Sequence, residues 1–360
     1  MSEILRLDPE VNGHRARLRL GPHDLFWESD APFQPQNGDW TLFAALPYAM
    51  LRGARLQIDM PVSREAASNA TRFSEYFAQR FPGHREVSIE ARAFTDPPPI
   101  SNEVGMCYSG GVDASFALLE AQRQPMLREP DWLLFLQGYD YALDDRNYQA
   151  VLAHLRVTTA LPVRSVRTNW KQSVDAERFG LYHTQGLAAV LHLFAPQLAQ
   201  IAADFTFEED ANELAYGSNG TLNRLLSGSA TRIEPVGERA TRVEKVEALV
   251  RNGRSKDLFV CYHVREGATN CGRCNKCKRT QLQIEAVGGG ASDYIRARLS
   301  AGDLWSIRIG GFLERHFLKQ TLRRTPWDAR SLPVRVKLAA MSAYAALRRP
   351  FRPLKAWLRK

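Results

Sequence analysis

Residues 103–124 read E-V-G-M-C-Y-S-G-G-V-D-A-S-F-A-L-L-E-A-Q-R-Q. A short apolar run (Val104, Met106, Tyr108) turns through Ser109-Gly110-Gly111 into a segment in which Val112, Phe116 and Leu119 repeat at spacings of four and three. That pattern is strand, glycine turn, helix. Paired glycines let the backbone approach an anion closely, and the unbonded N–H groups and positive dipole end of the new helix face the same place. A phosphate belongs there. The plain alternative is a glycine-rich turn with Asp113 solvated in the first helical turn.

From this point onward strands and helices alternate, the rhythm of a parallel sheet covered by helices. Trp132 to Leu136 is a continuous apolar strand, a helix is expected near Asp145 to Leu155, and Val163 to Arg167 is a third strand. A helix from about Gly180 to Phe194, strands at Leu198 to Phe207 and Thr231 to Pro235, and a helix over Thr241 to Val250 follow. In such sheets ligands sit beyond the carboxyl ends of the strands, where strand order reverses. The loops to search are therefore Gln137 to Tyr141, where Asp140 reads as a turn residue after Gly138, and the start of the next helix, with His183 and Gln185. Ser218, in Y-G-S-N-G, reads as a turn residue, with substrate binding as the alternative. Arg242 and Lys245 fall on one helical face.

Upstream, residues 1 to about 100 read as a small α+β unit. Arg15 to Leu20, Leu56 to Met60 and the series Val87, Ile89, Ala91, Ala93 alternate as half-buried strands do. Ala66 to Phe81 is expected to be helical with Ser63 as N-cap. Asp30, Asp39 and Trp40 are read as loop residues, surface turns with one packed indole. Pro97-Pro98-Pro99 supplies a stiff connector.

Downstream, Cys261, Cys271, Cys274 and Cys277 are spaced nine, two and two residues apart. Two-residue gaps let successive thiolates bend back onto one ion, and a fourth Cys completes a tetrahedron. Four thiolates on Zn²⁺ carry a net −2 charge, which Arg273, Lys276, Lys278 and Arg279 are placed to offset. An iron–sulfur cluster is the competing reading, but ferredoxin runs continue with Cys-Pro three residues later and this chain continues Lys278-Arg279-Thr280-Gln281. Cys107 is read as a buried strand residue.

The motif S-G-G-V-D resembles the S-G-G-x-D-S loop of the ATP pyrophosphatases, the superfamily of NAD synthetase, asparagine synthetase, tRNA thiolation enzymes and 7-cyano-7-deazaguanine synthase. Ala114 stands where the family has Ser, and Ser115 follows. The resemblance implies a doubly wound parallel α/β sheet of Rossmann-like, adenine nucleotide alpha hydrolase type over residues 101–285. A small α+β domain (1–100) would precede it and a basic helical region (286–360) follow. It implies ATP held with Mg²⁺ by Ser109, Gly110, Gly111, Val112, Asp113, Ser115 and Asp140, and Asp113 and Lys245 as catalytic groups, the Lys reaching the phosphates. The four-cysteine group narrows the likeness to the 7-cyano-7-deazaguanine synthases of queuosine synthesis, over roughly residues 103–285. These turn a carboxylate into a nitrile with ATP and ammonia, and the expectation is an AMP- and pyrophosphate-forming ligase on a carboxylate or amide. Its nucleophile would be ammonia, an amine or sulfur. The other readings are a tRNA-modifying or nucleic-acid-binding protein and a non-catalytic nucleotide-binding scaffold.

Composition bounds the partners. The chain has 360 residues, 44% hydrophobic and 24% charged, enough for about two domains. Four Cys clustered within a reducing-type metal motif, and an N-terminus M-S-E-I-L-R without a charged-then-apolar leader, point to a cytoplasmic protein. With Ser at position 2 there is no N-terminal Cys glutaminase nucleophile, so ammonia would come from solution or a partner. From Ile307 to Lys360 there are 14 Lys and Arg against Glu314 and Asp328, +12 of a chain total of +9, leaving −3 for the rest. The tail is the expected contact for nucleic acid or an anionic membrane surface, its aromatics otherwise packing on the body; a homodimer is an open possibility.

Overall fold

The structure, a computed structural model, describes residues 3–174, 179–204, 206, 217–261, 270–290, 298–310 and 312–348. The chain divides into two compact units, Met1–Thr241 and Arg242–Lys360.

In the first unit the stretch around the glycine turn forms β7 (Val104–Cys107) and α3 (Val112–Arg123). After it come β8 (Trp132–Gln137), α4 (Tyr148–Thr159), β9 (Val163–Thr168), α5 (Phe179–Phe194), β10 (Leu198–Ala202), α6 (Gly220–Arg224) and β11 (Arg232–Val236). β7 and β8 are buried at every position, as strands covered on both faces must be, and their sequences accordingly run apolar without alternation. The five strands are parallel in the order β11-β10-β7-β8-β9. The first strand in the chain is thus central, the next two lie on one side of it and the last two on the other.

The N-terminal residues extend this same sheet. β2 (Pro9–Asn12), β3 (Arg15–Leu20) and β4 (His23–Ser29) form an antiparallel meander, and β4 pairs antiparallel with β9 through Trp27↔Thr168, Glu28↔Arg167 and Ser29↔Val166. The result is an α/β fold with an eight-stranded mixed sheet. Alternation in β3 is strict, with Ala16, Leu18 and Leu20 inward and the arginines outward. A second sheet, all parallel, joins β1 (Ile4–Leu7), β5 (Arg55–Val62) and β6 (Ile89–Phe94) in the order β1-β5-β6. Its helix α2 (Arg64–Arg80) starts as the sequence predicts: Ser63 Oγ accepts from Ala66 N at 3.0 Å, a cap that contributes about 1 kcal/mol.

Helix α1 (Asp39–Arg52) corrects the reading of Asp39 and Trp40 as loop residues. Every residue from Asp39 to Met50 is buried. A helix surrounded on all sides is apolar all round and shows no 3.6-residue stripe, so its sequence carries no amphipathic signal. Trp40 packs edge-on against Trp27 with ring centroids 5.4 Å apart. The Asp39 carboxylate is deep in the core, accepting from Ser63 N and Ser63 Oγ, both at 2.8 Å. Asp30 is also engaged, with Arg156 at 2.6 Å and as acceptor for Ser165 N at 2.8 Å. β10 is shorter than expected, ending at Ala202; residues 205 and 207 lie outside the described residues.

The second unit is helical among its described residues: α7 (Arg242–Arg251), α8 (Asn275–Ala286), α9 (Ala301–Trp305), α10 (Phe312–Arg324) and α11 (Leu332–Arg348). Leu282, Leu299, Leu304, Ile307, Ile309, Leu318, Leu322 and Val334 form its core, with Leu338 and Met341 packed against it. Ser300 and Asp303 close a capping box at the start of α9. The uncharged run Leu338 to Leu347 is the second half of α11, and residues 349–360 lie outside the described residues.

Candidate metal centre and strand-end site

The four cysteines meet. Ligand sulfurs of Cys261, Cys271, Cys274 and Cys277 all lie within 4.8 Å of one another, and Cys261 Sγ and Cys274 Sγ are 3.9 Å apart. A tetrahedral ion with metal–sulfur bonds of about 2.3 Å sets sulfurs about 3.8 Å apart, so the donor set fits a metal ion such as Zn²⁺. The local sequence explains the convergence. Cys274 is the N-cap of α8, its sulfur accepting from Cys277 N at 3.5 Å. Cys271 Sγ accepts from Arg273 N at 3.5 Å and Cys274 N at 3.3 Å, and Cys261 Sγ accepts from Cys271 N at 3.4 Å. Such N–H···S bonds orient thiolates toward one centre. Asn270 ties the two sides of the loop, accepting from Val260 N and donating to the Leu258 carbonyl, both at 2.9 Å.

The Cys274 thiol is held far below its ordinary value by hydrogen bonds from Cys261 and Cys277, while hydrogen bonds with Cys261 and Cys274 push Cys277 up. The set is thus arranged around shared protons that an ion would replace. Of the neighbouring cations, Lys278 pairs with Asp303 at 3.6 Å and Arg279 with Glu314 at 3.9 Å, so both have carboxylate partners. Lys245, in the same unit, is fully buried on the face of α7 that carries Val243, Val246 and Leu249.

In the first unit the strand ends gather the other candidates. Gly110 has φ +73°, a left-handed conformation that suits glycine, and it turns the chain between β7 and α3. The N-cap of α3 is Gly111, without a side-chain capping bond, so no side chain closes the first-turn N–H groups from that position. Ser109 Oγ lies 3.4 Å from Gly111 N, and Ser115 Oγ lies 3.4 Å from the Tyr108 hydroxyl. Ala114 is buried and Asp113 half-buried. On β7 itself Gly105 is required by Trp132, whose ring would lie 2.5 Å from any Cβ there.

At the end of neighbouring β8, Gly138 (φ +103°) directs Tyr139 and Asp140. Lys171 Nζ donates to the Tyr139 carbonyl at 3.1 Å, and the Tyr139 ring stacks on Trp170. Beyond β10, on the other side of β7, stands Asp204, whose Oδ2 is 3.8 Å from His183 Nε2. His183 Nδ1 faces the Gly180 carbonyl at 3.1 Å, and its ring also feels the Asp140 carboxylate. Burial outweighs both contacts and pushes the imidazole down to about 4, so the ring is neutral at pH 7. Asp140 follows β8 and Asp204 follows β10, the two strands that flank β7. Asp204 was missed in the sequence because the run L-A-Q-I-A-A-D-F-T-F reads as one strand; the lone carboxylate within it was the available signal.

Two polar atoms here, Tyr139 Oη and Gln185 Nε2, are buried without a hydrogen-bond partner among the described residues. Ser218 serves the fold, its Oγ donating to the Ala202 carbonyl at 3.3 Å, next to Asn219, the N-cap of α6. Cys107 is buried and its thiol is pushed above the ordinary range by desolvation, as a strand residue's would be. Comparison of the chain with protein-family models, with curated proteins and with solved structures gives no match.

Proposed function

We propose that the chain is an ATP pyrophosphatase-type ligase, built on a doubly wound sheet, that forms AMP and pyrophosphate while activating a carboxylate or amide oxygen for attack by ammonia, an amine or sulfur. One observation carries the reading: the Ser109–Asp113 turn stands at the end of β7, where the strand order reverses between β10 on one side and β8 on the other. A crevice at such a reversal, floored by glycine backbone and a helix N-terminus, is where a nucleotide's phosphates are best held. The unpartnered Tyr139 Oη and Gln185 Nε2 support it, since buried polar atoms without partners are rare in folded chains and mark places where a ligand or water completes the bonding.

In this reading the loop N–H groups and Ser109 bind the departing pyrophosphate and preorganise it. Asp113, a carboxylate beside polyphosphate, holds Mg²⁺; without a cation between them the two anions would repel. Asp140 contacts the nucleoside. His183 adds no charge to a place that already holds three carboxylates. The cysteine centre, with four protein sulfurs and no open position, holds Zn²⁺ structurally. A second reading, nucleotide sensing without turnover, has Ala114 behind it: the position that carries a phosphate-binding hydroxyl in the resembled family is here a buried methyl.

The test is to incubate the full chain with ATP, Mg²⁺, ammonium and a panel of carboxylates, and to quantify AMP, ADP, pyrophosphate and phosphate. AMP with pyrophosphate, lost in Asp113→Ala, supports the ligase. ADP with phosphate overturns it, and tight ATP binding with no products under any acceptor favours the sensor.

A further inference from the structure

We propose that the second unit docks on an anionic lipid surface through the outward face of α11. This helix has two apolar stripes on opposite sides. Val334, Leu338 and Met341 face the unit's own core. At about 100° per residue, Leu332, Val336, Ala340, Ala343 and Leu347 fall within about 80° of one another on the opposite side. All five are exposed, Leu332, Val336 and Leu347 by 49, 56 and 72%. The segment Leu338 to Leu347 contains no charged residue. A helix that needed only to cover its own core would be polar on that outer face.

The flanks match the stripe. Arg335 and Lys337 leave the helix about 100° to either side of Val336, and each holds an exposed indole. The Arg335 guanidinium lies 4.2 Å from the Trp327 ring centroid, and Lys337 Nζ lies 5.4 Å from that of Trp305. Trp327 is 79% exposed and Trp305 53%. Arg335 is further fixed by the carbonyls of Leu322 and Thr325, and Lys337 by those of Trp305 and Ile307. The indoles are therefore braced outside the core, where packing alone would not keep them.

Charge selects the occupant. The 14 Lys and Arg against two acids between Ile307 and Lys360 attract an anionic surface, and a second copy would meet the same charge and be repelled. A polyphosphate such as RNA satisfies the cations but gains nothing from Leu332, Val336 and Leu347, which need an apolar phase. An anionic bilayer offers both, with indoles at the headgroup level and the stripe just beneath. Among the described residues no helix is long and apolar enough to cross a membrane, so the contact is with the surface.

The experiment is co-sedimentation of the full chain with vesicles of phosphatidylcholine alone and of phosphatidylcholine with about one third phosphatidylserine, repeated across a salt series. Binding to the anionic vesicles, weakened by salt, is expected. The doubly substituted V336D/L347D chain, altered only at exposed positions, should bind about ten-fold more weakly or less while keeping its thermal melting point. Tryptophan emission should shift to the blue on binding, and less so in Trp327→Ala. Equal binding to neutral vesicles, no binding to either, unchanged binding by V336D/L347D, or self-association lost in V336D/L347D without vesicle binding would each overturn the proposal. So would RNA binding with no vesicle binding. The readout does not involve ATP, so this result stands or falls apart from the ligase reading.

Discussion

His183 Nε2 lies 3.8 Å from Asp204 Oδ2, joining the first turns of α5 to the chain just beyond β10. The imidazole is held neutral by burial although the Gly180 carbonyl and the Asp140 carboxylate favour its charged form, so the contact is between a neutral ring and a carboxylate rather than between opposite charges.

That balance fixes a pH dependence. His183 titrates near 6.5 when unfolded and near 4 when folded, so between these values the unfolded chain binds more protons. Stability should therefore be full above pH 6.5, fall as pH drops toward 4 and level off below it, by up to about 3 kcal/mol for this group. Burial lowers His192 as well, which adds a loss of the same sign. Urea melts from pH 7.5 to 4 should show a smaller loss in His183→Asn than in the parent chain; identical slopes would refute the assignment.

The cysteine centre should hold about one metal ion per chain and stabilise the second unit. Cys274→Ser removes both a ligand and the N-cap sulfur of α8, and is expected to abolish stoichiometric zinc and lower the melting temperature by several degrees. Elemental analysis of anaerobically purified chain decides between ions: stoichiometric iron with visible absorption would replace zinc by a cluster.

Gly138 should resist substitution. A Cβ at this position would overlap the Thr168 carbonyl oxygen, at φ +103°. Gly138→Ala is expected to cost roughly 2 kcal/mol or more and, by moving Tyr139 and Asp140, to weaken ATP binding beyond what the stability loss explains. Calorimetric titration with ATP on the folded fraction checks the second part.

Asp39→Ala should be among the most damaging changes in the core of the first unit. It strips acceptors from Ser63 N and Ser63 Oγ in the core, and Gly228 packs so closely on the same carboxylate that an added Cβ would overlap Oδ2. A loss of roughly 3 kcal/mol in chemical denaturation is expected, with Gly228→Ala destabilising through the same contact.

What could be read from residues alone followed from periodicity and punctuation. β3 and β5 announced themselves by alternation and α2 by the spacing from Ser63 to Ala66, because each is half-exposed and its two faces differ in chemistry. The cysteine spacing specified its cluster because ligand geometry is local. α1 was illegible for the opposite reason: wrapped on every side, it has no polar face to set its period, and Pro47 lies within it. Asp204 and the pairing of β4 with β9 depend on contacts between distant residues, which no local pattern records.

The antiparallel meander also decides where this sheet ends. Without β4, strand β9 would present an open row of backbone donors and acceptors; with it, the outermost strands among the described residues are β2 and β11. β2 has four residues and opens on Pro9, and β11 has five and contains Pro235. Short, proline-bearing borders are poor templates for strand addition. Growth of the sheet from copy to copy is thereby discouraged at both borders, a safeguard against fibril-like stacking that would be lost first at whichever border lost its proline.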